Sequence, residues 1–316
     1  MIILRAFPLS FSILWRFLIV LPFLLVFLVL YVLLSVFWGF FAALISPLIA
    51  IGIILAMTFV MAMIPMMVGT RLGLQARGEA VDGSYVNLFL PSLGYGAFEA
   101  VTKLIVTFGA AGLLVLFSGG GSATEVTELA AGAVDPFSDL TLDGGVSGSG
   151  WLFLATSLIF VLMRAALLPA VAGGAAGRDP NGQSHTPFSG VGSGFLSLVL
   201  LIIIIYLLGF LAIPAAFIIA TQFGLSEVIM ARVMEFSVMV DAGGSYSFAP
   251  IDAIMAGIII VYLLWLFSLQ CAGAVLVYER RREAHEAELA YNPPVERMDP
   301  DDLREMVRSR MPQRKY

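Results

Sequence analysis

The sequence predicts an all-α polytopic membrane protein: six transmembrane helices arranged as three tandem helical hairpins, with both termini in the cytoplasm. Three observations carry that expectation. The 316 residues are 60% hydrophobic and only 12% charged, with a mean hydropathy of +0.98, whereas a soluble domain carries about 25% charged residues. Six apolar runs are each long enough to cross a hydrocarbon core of ~30 Å. Short Pro/Gly motifs recur at both ends of those runs.

Residues 1–16 (MIILRAFPLSFSILWR) read as an amphipathic lead-in at the cytoplasmic surface. The first span covers residues 17–37 and is too long for a cleavable h-region of about 7–15 residues, so it is expected to stay in the mature protein. Trp38-Gly39-Phe40 reads as a tight turn with interfacial aromatics. The second span, residues 41–69, exceeds what a core of ~30 Å needs and is expected to tilt, or to kink at Pro47 or Pro65. A polar segment follows, and the third span runs from 98 to 117.

Residues 118–150 are rich in Gly and Ser and carry Glu125, Glu128, Asp135, Asp139 and Asp143 with no Lys or Arg, the signature of a flexible loop. The fourth span covers 151–173 and the fifth 195–220. The β-branched core of the fifth still predicts helix, because in lipid the backbone must bond to itself. Residues 221–252 contain SEVIMARVMEF, an interfacial helix, and the sixth span is 253–277.

The motifs repeat. Pro65, Gly69 and Gly73 close the second span; Pro169, Gly173 and Gly177 close the fourth; Leu269, Gly273 and Val277 keep half the pattern in the sixth. Ahead of the third span lie Pro91, Gly94 and Gly96, and ahead of the fifth Pro187, Gly190 and Gly192, both spelling P-x-x-G-x-G; Pro8 begins a degenerate first copy. The unit is one hairpin, repeated over about 1–77, 85–178 and 182–278, so that 1–278 forms the transmembrane domain and 279–316 a charged cytoplasmic tail. Arg5, Arg16, Arg71, Arg77, Arg178 and Arg280–Arg282 fall on one side of that layout, and only Arg232 on the other, which sets both termini inside.

The exit glycines have three readings: close packing of helices within the chain, helix termination where the chain leaves the membrane, or a dimer face. The P-x-x-G-x-G segments lack the Lys and Ser/Thr of a phosphate-binding loop and read as flexible, interfacial chain.

Arg164 is the sharpest single residue. Its repeat equivalents are Val60 and Leu264, so the scaffold does not demand a charge there. It lies 13 residues in from Trp151, roughly 20 Å at 1.5 Å per residue, and such a depth costs a few kcal/mol unless the side chain is paired or snorkels. Glu99 sits at similar depth in the third span and Lys103 one turn deeper, which predicts a Glu99–Arg164 pair with Lys103 sharing the carboxylate. The cluster is either a lock between two spans or a site for an anion or lipid headgroup.

No nucleophile–base–acid set is legible, and few carboxylates reach membrane depth, which argues against an ion-coupled pump. One cysteine, Cys271, excludes an internal disulfide framework, and His185 and His285 lie in polar stretches; no metal site and no cofactor is expected. In the tail, residues 279–290 extend the last span as helix, Asn292-Pro293-Pro294 breaks it, and Asp299-Pro300 starts another short helix.

The expected function is a non-enzymatic membrane scaffold or accessory subunit of a membrane complex, placed in a bacterial inner (plasma) membrane. The alternative is a transporter or channel for a small or amphipathic anion that uses Arg164 and Lys103. The expected partners are the lipid bilayer and either a membrane-protein subunit or a second copy of the chain, with no nucleic acid.

Overall fold

The computed structural model describes residues 2–117, 148–222, 224–242 and 249–291. The acidic loop expected over 118–150, apart from its last residues, and the helix expected after Asp299 lie outside the described residues.

The chain is almost entirely helical, with no strand among the described residues: α1 Ile2–Ile45, α2 Pro47–Ala76, a 3-10 turn Tyr85–Leu88, α3 Phe89–Phe117, α4 Gly148–Ala176, α5 Phe195–Gln222, α6 Ser226–Ala242 and α7 Pro250–Tyr291. Six of these helices are long and apolar enough to cross a membrane. α6 falls on the SEVIMARVMEF segment.

The first helix departs from the sequence reading in two places. Gly39 lies inside α1, and the chain reverses instead at Ser46, whose backbone is extended (φ −159°, ψ 129°), just before Pro47 at the first position of α2. The cause is local: a residue preceding proline is pushed out of the helical region, and proline suits a helix start because its missing N–H is not needed there. Gly39 serves a different purpose, since a Cβ there would sit 3.3 Å from Ile54 of α2. Residues 2–16 do not lie apart as a surface lead-in. Ile2, Ala6, Leu9, Ile13 and Phe17 recur at helical spacing and are buried in the bundle. Phe17 meets Phe267 of α7 at a ring distance of 5.6 Å.

α2, α4 and α7 touch one another at the centre, and the other three membrane-length helices fill the gaps between them. α1 lies against α2 and α7, α3 against α2 and α4, and α5 against α4 and α7. Each outer helix thus bridges two of the three central ones in the same way around a ring. The largest fully buried side chains include Met63, Met66, Met67, Leu168 and Leu269 on the central helices and Ile13, Phe17, Leu198, Leu201 and Ile202 on α1 and α5. In lipid such a core is held by close packing, because hydrocarbon tails are as apolar as the side chains themselves.

Candidate functional site

The exit glycines divide by use. A Cβ on Gly69 would lie 2.8 Å from the Cys271 sulfur, and one on Gly73 would meet Ile13 and Val275 at 2.8 Å each, so both let α2 approach its neighbours closely. Gly273 is crowded in the same way by Leu198 and Leu201 of α5. Gly177 stands just past α4 with φ +78° and donates its N–H to the carbonyl of Gly173 at 2.9 Å, which is a left-handed helix stop. Pro65 and Pro169 lie inside α2 and α4.

The two P-x-x-G-x-G copies do not share a backbone. Pro91, Gly94 and Gly96 lie within α3, which begins nine residues before the expected start of its span. A Cβ on Gly96 would run into the carbonyl of Phe59, so this glycine lays α3 directly on the α2 backbone. Pro187 opens a run of turns instead. Phe188, Gly190, Gly192 and Gly194 have φ of 65°, 81°, 80° and 65°. The N–H groups of Ser189, Val191, Ser193 and Phe195 each bond to the carbonyl three residues back. Overlapping β-turns with a left-handed third residue produce this pattern.

Glu99, Lys103 and Arg164 converge. The Lys103 ammonium lies 2.7 Å from Glu99 Oε1, and Arg164 Nη1 donates to the same oxygen at 3.2 Å. Arg164 Nη2 reaches the Met66 sulfur at 3.5 Å, which ties α4 to α2 as well as to α3. Glu99 is 10% exposed at the side chain, Arg164 27% and Lys103 47%. One carboxylate therefore faces two cations, and the cluster carries one net positive charge.

A second arginine, more deeply enclosed, has no carboxylate partner among the described residues. Arg71 is 3% exposed. Its guanidinium donates to the carbonyls of Asp82 (3.1 Å), Ser84 and Ala175 (3.5 Å each) and to that of Gly83. The Tyr85 ring lies 5.0 Å away. Ala175 belongs to the last turn of α4, where free carbonyls and the negative end of the helix dipole favour a cation. Arg71 thus fastens the 82–84 loop and the end of α4 to α2.

A third polar cluster surrounds His185. Asp179 Oδ1 lies 2.8 Å from His185 Nδ1, and the Tyr95 hydroxyl 2.8 Å from His185 Nε2 and 3.2 Å from the carbonyl of Ala170. Gly173 makes room for the ring, since a Cβ there would stand 2.5 Å from Nδ1. At the same end, Arg77 pairs with Glu279 at 3.1 Å, Arg282 pairs with Glu79, and the Tyr278 hydroxyl donates to the carbonyl of Arg178. These contacts dock the charged continuation of α7 onto the α2–α3 and α4–α5 connections. Sequence reading singled out only Gly173 among these residues, because Tyr95 lies 90 positions from His185, the partners on α7 lie further still, and the rest are backbone oxygens; the Asp179–His185 pair, six residues apart, was the one local signal. Among the described residues no three His, Cys, Asp or Glu side chains converge as metal ligands.

Six helices of membrane-crossing length and composition fit an integral membrane protein of the all-α class. Compared with known protein families, curated proteins and solved structures, the chain matches none.

Proposed function

We propose that this protein is a non-enzymatic integral membrane scaffold or accessory subunit of a membrane complex. Its six spans form three tandem hairpins over 1–77, 85–178 and 182–278. Both termini lie in the cytoplasm of a bacterial inner membrane, and the 279–316 tail faces the same side. One observation carries the reading: the three central helices meet through interlocked apolar side chains and glycine contacts, a closely packed core. The ring of contacts and the one-sided arginines support the hairpin layout.

The test is the intact mass of the protein extracted gently from its native membrane, with every co-purifying chain identified. A stoichiometric foreign subunit supports the proposal. A bare monomer or homo-oligomer counts against it.

The second reading, transport of a small or amphipathic anion, draws on the uncompensated positive charge of the Glu99–Lys103–Arg164 cluster. Anion flux into proteoliposomes that falls on Arg164→Leu would favour it over the scaffold.

A further inference from the structure

Two recesses lie along one seam, between α1 and α7. The first is a cavity of about 260 Å³ lined by Ile2 and Arg5 of α1 and by Leu276, Glu279, Arg280 and Glu283 of α7. Its base is apolar, because Ile2 and Leu276 are buried. Its rim is charged. Glu279 is engaged by Arg77, so the charges left facing the cavity are Arg5 and Arg280 against Glu283. None of these three takes part in an ion pair among the described residues. The second recess is an open groove of about 590 Å³, lined by Phe11 and Leu14 of α1 and by Ile258, Tyr262 and Trp265 of α7.

The sequence of α7 changes character between them. It carries no charge from Ala253 to Tyr278, then reads Glu279-Arg280-Arg281-Arg282. The polar recess therefore sits at the headgroup level of a membrane and the apolar groove at acyl-chain level. The near end of the groove, at Trp265, is 11 residues from Leu276, about 16 Å along the helix, inside the roughly 20 Å depth of one leaflet with its headgroups, and the groove runs on from there toward Ile254.

The geometry points to a phospholipid-binding site on the α1–α7 seam, selective for a headgroup that joins a phosphodiester to a primary ammonium. Arg5 and Arg280 supply the paired guanidinium donors that suit phosphate oxygens. Glu283 accepts from the ammonium, and an acyl chain lies in the groove against Trp265 and Phe11. A free headgroup would use only the upper recess. The apolar groove below it commits the site to a lipid.

The full chain, reconstituted in nanodiscs, is titrated with phosphatidylethanolamine, phosphatidylglycerol or phosphatidylcholine and read by native mass spectrometry. One phosphatidylethanolamine is expected to be retained in preference to the other two. Arg5→Ala with Arg280→Ala should weaken it about thirtyfold. Glu283→Gln should erase the preference for the ammonium headgroup while leaving phospholipid binding in place. Gly257 lines the groove and a Cβ there would have no neighbour within 4 Å, so Gly257→Leu narrows the groove and should weaken lipid retention with both arginines intact. This variant keeps the test decisive if the double arginine variant fails to fold. Equal retention of all three lipids, retention unchanged in the Gly257→Leu variant, or soluble ethanolamine phosphate binding as tightly as the lipid would each overturn the assignment.

Discussion

Arg71 and Arg164 are both arginines set among apolar helices, and the fold treats them in opposite ways. Arg164 finds a carboxylate, shares it with Lys103 and keeps 27% of its side chain accessible. Arg71 is almost wholly enclosed, has no acidic partner among the described residues, and is held by four carbonyls and the face of Tyr85. Position explains the contrast. Arg71 lies five residues before the end of α2, beside the end of α4 and a loop whose carbonyls are free to turn inward. Arg164 lies mid-helix, and the partners it meets there are side chains, the Glu99 carboxylate and the Met66 sulfur. A cation at a helix end can be neutralised by backbone; a cation in the middle needs a carboxylate.

The largest effect should follow from removing the carbonyl-bound cation. Arg71→Met leaves the carbonyls of Gly83 and Ala175 without their donor, and hydrogen bonds to a charged group are worth ~1.5–3 kcal/mol each. Reversible unfolding in mixed micelles should show a loss on the order of 3 kcal/mol. Lys at this position should rescue only part of it, because an ammonium cannot match a planar five-donor guanidinium.

Gly96→Leu comes next. It forces α3 off the Phe59 carbonyl and should cost about 2 kcal/mol by overpacking in the same assay. A smaller loss would mean that α2 and α3 yield at their contact.

Glu99→Gln strands two cations on one neutral amide. Because Arg164 and Lys103 are both partly accessible, the loss should be about 1–2 kcal/mol, below the range for fully buried pairs. Lys103→Met, which removes the more exposed partner, should change stability by less than ~0.5 kcal/mol. If it cost more than Glu99→Gln, Lys103 and not Arg164 would be the chief partner of the carboxylate.

Much of this was legible in the chain. Hydropathy located the six membrane-length helices, and the matched depths of Glu99 and Arg164 in neighbouring spans brought that cluster into view before any coordinates. The Arg71 cage was not legible, since its partners are backbone oxygens of residues 82–84 and carry no side-chain signature. Gly39 between two aromatics drew the first turn away from Ser46-Pro47, although a serine before proline is the stronger chemical signal. The two P-x-x-G-x-G copies read alike, yet Pro91 falls in the first turn of a helix while Pro187 precedes four left-handed residues. The additional Gly194 in the second copy was the available clue. His185 looked like a loop residue because Tyr95, which closes its cluster, lies 90 positions away.

The most direct test of this division is one pair of unfolding free energies. Glu99→Leu combined with Arg164→Leu removes a carboxylate and its cation together, and replacing an ion pair by apolar side chains of similar volume is often neutral. That double variant should unfold within ~1 kcal/mol of the unsubstituted protein, while Arg71→Met loses on the order of 3 kcal/mol. The reverse ranking, a costly double variant and a tolerated Arg71→Met, would contradict the claim that backbone carbonyls hold the one arginine and a replaceable ion pair holds the other.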